Sequence, residues 1–270
     1  MSLRAAAACS YAALLLVASI GPAKDESAAD PPRKVLVELY TSQGCDSCPS
    51  ANDLLGRLAK LGYGPDKVVP VAFHVDYFNT PWADPFSDQG FSRRQMSYNS
   101  VQKRNDLYFT PMMMVDGRYP MLGSNKPEAT AAIARSLKGK AGVSLKLNLS
   151  GPATGKELKV DLARATSEVD GRPLQVCVAV TEGPIATVVP SGENAGKTLV
   201  EPAVVRSFAF KDLKLGGREP KSLSFPVKLA ADSRGERARV SAWVQDFENG
   251  KVYQAESIPW ASDVKATAAR

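Results

Sequence analysis

The sequence predicts an α/β domain over residues 34–140, followed by an all-β, sandwich-like domain over residues 143–260. Three observations carry this expectation. Between Val35 and Leu137, short apolar runs alternate with stretches of helical spacing. After Gly142 the apolar period drops to two and hardly a helical pattern returns. One Cys-x-x-Cys motif, Cys45 to Cys48, stands between the first predicted strand and the first predicted helix.

The elements follow in order. Arg4 and the apolar stretch Ala5–Ile20 precede Gly21, Pro22 and Ala23, the order of a secretory signal peptide over residues 1–23. That stretch is shorter than the ~20 apolar residues a bilayer span needs, so no membrane span is expected after cleavage. Residues 24–33, with Pro31 and Pro32, read as a leader. Val35–Tyr40 is a buried strand by its β-forming apolar run. In Pro49–Leu61, Leu54, Leu55, Leu58 and Leu61 share one helical face, and Gly62 ends it. Val68–Val75 is a second buried strand. The polar, aromatic stretch of about 76–106 is an inserted segment, with one or two helices expected between Phe86 and Arg104. Met112–Val115 and Arg118–Leu122 flank Asp116-Gly117, a hairpin signal. The alanine-rich Pro127–Leu137 is the last helix. Eight strands then follow: Val143–Leu149, Leu158–Leu162, Leu174–Thr181, Ile185–Val189, Ala203–Phe210, Leu223–Leu229, Val240–Asp246 and Val252–Ser257. Residues 261–270 form a tail.

Charge narrows the function classes. Lys and Arg number 34 against 28 acids, a formal charge of +6 spread along the chain. Nucleic-acid binding is not expected, because it needs clustered cations. An exported chain sits in an oxidising compartment, periplasmic or secreted, and without Cys9 its cysteines are Cys45, Cys48 and Cys177. Cys45 and Cys48 are the obvious pair. Cys177, inside a predicted strand, reads as core.

Two cysteines three apart at a helix start lie within disulfide reach, and the first sits where the helix N-terminus stabilises a thiolate. Two other readings stay open: an inert staple, or part of a metal site with His74 and Cys177 as further ligands. Gly192-Glu193-Asn194-Ala195-Gly196-Lys197-Thr198 looks like a phosphate loop, but three residues separate its glycines instead of four, and no helix follows. It reads as a loop between strands.

The segment from Val37 through Gln43-Gly44-Cys45-Asp46-Ser47-Cys48-Pro49 resembles an exported bacterial thioredoxin-like family, catalogued as domain of unknown function twelve-twenty-three. His74-Val75-Asp76-Tyr77, Arg94-Gln95 with Tyr98, Tyr108-Phe109-Thr110-Pro111 and the Gly192–Leu199 stretch with Val204-Val205-Arg206 resemble it as well. The resemblance implies a thioredoxin-like N-terminal domain with a cis Pro111 that shapes a substrate groove, Thr110 beside it. It also implies that Glu38 is a buried proton acceptor beneath the second cysteine. His74 and Asp76, ending the second strand, are expected to approach the dithiol. Arg94 and Tyr98, one helical turn apart, would line a cleft over it or cap the domain.

The expected function is exported thiol–disulfide exchange on a disulfide-bearing protein or a small thiol, with no cofactor and no metal. Cys45 attacks and Cys48 resolves. Asp46 is expected to tune the couple, opposing the Cys45 thiolate and holding the potential well below about −120 mV. The alternative is a non-enzymatic binding module for metal or peptide.

Overall fold

A long apolar strand edge is unstable in water, and the way this chain covers one edge determines its architecture. In a computed structural model describing residues 31–152, 155–216 and 219–261, β1 (Val35–Thr41) and β2 (Val68–His74) pair in parallel, and both are almost entirely buried. On the other side of β1 lie β3 (Met112–Val115) and β4 (Tyr119–Leu122). Asp116 and Gly117 turn that hairpin with φ of 55° and 66°, the left-handed pair its sequence predicts.

The free edge of β2 is taken by a strand from the second half of the chain. β5 (Val143–Ser150) and β6 (Lys156–Arg164) come first, then β7 (Leu174–Glu182), β8 (Ile185–Val188), β9 (Thr198–Glu201), β10 (Val204–Leu213), β11 (Lys221–Val227), β12 (Ala238–Asp246) and β13 (Val252–Pro259). Strand β10 runs parallel to β2, Val204 opposite Ala72, and the Ala72 N–H donates to Ala203 O at 2.8 Å. One mixed sheet of eight strands results, in the order β13-β12-β7-β10-β2-β1-β3-β4. β11-β6-β5 forms a second, antiparallel sheet, and β8-β9 a two-stranded hairpin.

The sandwich is present, but it is not a separate layer pair. Its three-stranded sheet packs Leu147, Leu158, Val160 and Phe225 against Val176, Val178, Val240 and Val244 of the large sheet. The large sheet itself continues into the first half of the chain. The junction expected between residues 140 and 143 is bonded too, with the Gly142 N–H on Tyr253 O. The leader is likewise anchored at its end: Arg33 pairs with Asp116 and donates to Val252 O. The signal-peptide stretch lies outside the described residues, as does all of the tail beyond 261.

Three helices cover the N-terminal part. α1 (Cys48–Arg57) and α3 (Lys126–Leu137) pack on the face carrying Val35, Val37 and Leu39. α2 (Gln89–Gln102) is one helix and lies on the opposite face, where Leu36 and Tyr40 meet Cys177, Val205 and Trp243 from the second half. Among the described residues no helix is long and apolar enough to cross a membrane.

Candidate functional site

The chain leaves β1 at Thr41 and turns tightly before α1. Cys45 N–H donates to Ser42 O, Cys48 N–H donates to Cys45 O, and Cys48 is the first helical residue with Pro49 behind it. Cys45 therefore stands one turn ahead of the helix. The Sγ of Cys45 is 3.3 Å from Ser47 Oγ. The hydrogen bond from Cys48, opposed by burial and helped by the Ser47 and Thr110 hydroxyls, lowers the Cys45 pKa to about 6. Burial and the adjacent Cys45 push Cys48 far above the ordinary thiol range. The two sulfurs are thus opposite in character. The Thr110–Pro111 bond is cis, as the resemblance implies, and Thr110 Oγ1 is a buried hydroxyl on the Cys45 side of the site.

The dithiol loop is held from the second half of the chain. Asn194, fully buried, donates through Nδ2 to Gln43 O at 2.9 Å and Cys45 O at 2.8 Å, and Lys197 Nζ donates to its Oδ1 at 2.9 Å. The Asp46 N–H donates to Glu193 Oε2 at 2.9 Å. The phosphate-loop look-alike is therefore the clasp of the dithiol. Gly44 completes the fit, because a Cβ there would lie 2.5 Å from Phe78 O.

Beneath the clasp lies a buried polar cluster. Gln43 N–H donates to Asp84 Oδ2 at 2.8 Å, and Gln43 Nε2 to Glu201 Oε2 at 2.7 Å. His74 Nδ1 is 2.7 Å from the same Asp84 oxygen, and its Nε2 faces Glu201 Oε1 at 3.9 Å. Burial opposes the imidazolium, but the Asp84 and Glu201 carboxylates outweigh it and raise the His74 pKa. A raised pKa stabilises the fold below the unfolded value of about 6.5, and the gain is lost as pH rises through the folded value. Denaturant titration across pH is therefore expected to show His74→Gln most costly under mildly acidic conditions, with the deficit shrinking as pH rises. A deficit that grows with pH would show that the histidine is held neutral.

The family model for Protein of unknown function (DUF1223) matches residues 36–245. The chain belongs to that family. Protein AGR_C_4864 from Agrobacterium tumefaciens, in its crystal structure, is 21% identical over 87% of this chain and 97% of its own, with a TM-score of 0.62. HBP35 of Porphyromonas gingivalis is 14% identical over 89% of this chain and 79% of its own, with a TM-score of 0.65. Both likenesses concern the fold alone. No curated protein matches.

In this DUF1223 chain the sequence-predicted residues divide into two groups. Cys45, Cys48, Asp46, Thr110 and Pro111 gather at the start of α1, and His74 reaches them through Asp84 and then Gln43. Glu38 does not lie beneath Cys48. It points to the α2 face, where it accepts from Arg94 Nε at 2.8 Å, Tyr40 OH at 3.1 Å and Tyr98 OH. Strand alternation puts Thr41, not Glu38, on the α1 side, and the Thr41 hydroxyl bonds Cys48. Arg94 and Tyr98 accordingly line no dithiol cleft, and Asp76 is tied to α2 through Ser92. Asp46 was expected to oppose the Cys45 thiolate; it is exposed, and the main groups acting on Cys45 are Cys48, Ser47 and Thr110 together with burial. The candidates for further metal ligands are engaged elsewhere: His74 by Asp84, and Cys177 in β7 beside Arg94, its pKa raised by burial to about 12.

Sequence reasoning missed Tyr77, Gln95, Asp84, Glu201 and Asn194 as site residues. Tyr77 OH donates to Gln95 Oε1 at 3.0 Å, and Gln95 Nε2 to Phe109 O at 2.7 Å, which fixes the backbone before Pro111. Tyr77, Gln95 and Asn194 carried one signal, their membership of the quoted motifs; Asp84 and Glu201 carried none.

Proposed function

We propose that this protein is an exported thiol–disulfide oxidoreductase whose dithiol stands in a thioredoxin-like setting. The observation that carries the reading is the division of the two thiols: Cys45 falls to about 6 while Cys48 is pushed far up, opposite a cis Thr110–Pro111 bond. At neutral pH one sulfur is the nucleophile and the other keeps its proton. The Cys45 thiolate attacks one sulfur of a substrate disulfide, forming a mixed disulfide and expelling the other sulfur as a thiolate. Cys48 then gives up its proton and attacks Cys45 Sγ. The Cys45–Cys48 disulfide forms, the second substrate thiolate leaves, and two electrons have passed to the substrate. An external dithiol restores the reduced pair.

A Cys45 pKa of about 6 lies nearer the value of about 7 found in thioredoxin than the value of about 3.5 found in the strongest oxidant of that fold. This supports a reductase or isomerase direction. Cys45 is only 2% exposed, so substrate reaches it as the covering loop yields. Export rests on the signal-peptide pattern of residues 1–23.

The test is a trap. Cys48→Ser is expected to accumulate mixed disulfides through Cys45 under non-reducing electrophoresis, and Cys45→Ser is expected to accumulate none. Equal trapping by both variants, or by neither, overturns the assigned roles.

A further inference from the structure

Beside Gly44, one residue from Cys45, opens a cavity of about 580 Å³. One wall comes from the inserted segment: Tyr77, Phe78, Pro81 and Trp82. The other comes from the clasp, Gly192 and Glu193. The aromatic wall is partly open to solvent and is held in place. Trp82 Nε1 donates to Gln43 Oε1 at 3.0 Å, and Tyr77 packs on Tyr108, 38% exposed, with ring centroids 4.4 Å apart. Fixed aromatic surface in a concave site is what anchors an apolar side chain, because little rotamer freedom remains to be lost on binding.

The rim has the opposite chemistry. The exposed Glu193 carboxylate lies against the Asp46 N–H, and the Asp46 side chain is exposed beside it. The cation of the same loop, Lys197, is bonded to Asn194 Oδ1. Two exposed carboxylates therefore stand on the loop that follows Cys45 and on the clasp bonded to it, in a chain whose formal charge is +6. Glutathione, with two carboxylates and one ammonium, meets repulsion there, whereas a basic peptide meets attraction.

We infer that this cleft is a substrate subsite selecting peptide disulfides whose reacting cysteine is flanked by an aromatic residue and a basic one, at the expense of glutathione. The inference rests on the thiol-exchange reading and adds the substrate class to it. It also assigns specificity to the second half of the chain, which supplies Glu193 across the cleft.

The experiment measures rate constants of the reduced protein with hydroxyethyl disulfide, oxidised glutathione and four peptide disulfides. The peptides carry Phe or Ala on one side of the cysteine and Lys or Glu on the other. The Phe/Lys peptide is expected to react at least about tenfold faster than the Ala/Glu peptide, and glutathione disulfide more slowly than the neutral disulfide. Glu193→Gln keeps an acceptor for the Asp46 N–H and removes the charge; it is expected to cut the Lys/Glu preference about threefold. Phe78→Ala is expected to reduce the Phe/Ala preference by a larger factor than it changes the rate with hydroxyethyl disulfide. Equal peptide rates, or preferences unchanged in both variants, overturn the subsite while thiol exchange stands. No reaction with hydroxyethyl disulfide overturns the exchange reading and the subsite with it.

Discussion

Arg94→Met is expected to lower the unfolding free energy by about 3–5 kcal/mol, the usual loss when one partner of a buried ion pair is removed. Arg94, with 11% of its side chain exposed, donates from Nε to Glu38 Oε1 at 2.8 Å and from Nη2 to Gln245 Oε1 at 2.9 Å. Its guanidinium lies 5.1–5.6 Å from the ring centroids of Phe73, Phe208 and Trp243. Those partners come from β1, β2, β10 and β12, so one side chain from α2 joins both halves of the large sheet. Without it Glu38 is a fully buried carboxylate with only tyrosine hydroxyls left. The double variant Glu38→Met/Arg94→Met removes the stranded charge and is expected to regain part of the loss. Denaturant unfolding of the three proteins measures both effects. A double variant no more stable than Arg94→Met would show that the lost packing against the rings, not the unpaired carboxylate, sets the cost.

Asn194→Ala is the second large effect, and it acts on stability and reactivity together. The substitution removes the donor that serves Gln43 O and Cys45 O and the acceptor that serves Lys197. Leaving buried polar groups unpaired costs about 1–3 kcal/mol each, so a total loss of roughly 2–4 kcal/mol is expected. The clasp also ties down the dithiol loop, in which Cys45 is 2% exposed. Alkylation by iodoacetamide at neutral pH is therefore expected to quicken at Cys45 by about tenfold or more as the loop opens. Cys48 and Cys177, both held protonated by burial, are expected to stay slow. An Asn194→Ala protein that unfolds earlier but alkylates no faster would place the cover of Cys45 on the 77–82 loop instead.

The chemistry-bearing features that a reader of the sequence can find are those whose geometry spans a few residues. Cys45 and Cys48 are three apart ahead of a helix that Leu54, Leu55 and Leu58 bury, and the structure keeps that order. Asp116-Gly117 turns its hairpin because those two residues tolerate left-handed backbone. Thr110–Pro111 is cis ahead of β3. Strand β9 escaped notice because its four residues, Thr198–Glu201, alternate exposed and buried with just two aliphatic side chains and follow a glycine-rich loop.

Glu38 shows where local reading stops. Its burial was implied by the family resemblance, but its role depended on which face of the sheet α1 would take, and nothing within β1 encodes that. The clasp is a stronger case. Asn194 and Gln43 are separated by 151 residues, and only the pairing of β10 with β2 brings their loops together. Periodicity, turn chemistry and the spacing of the two cysteines are near-neighbour properties, so most of the strands, the three helices and the Cys45–Cys48 pair can be read from the chain alone. The shared sheet, the partner of Glu38 and the loop bonded to Gln43 and Cys45 arise from burying the free edge of β2, a demand satisfied across the whole chain and encoded in no single segment of it.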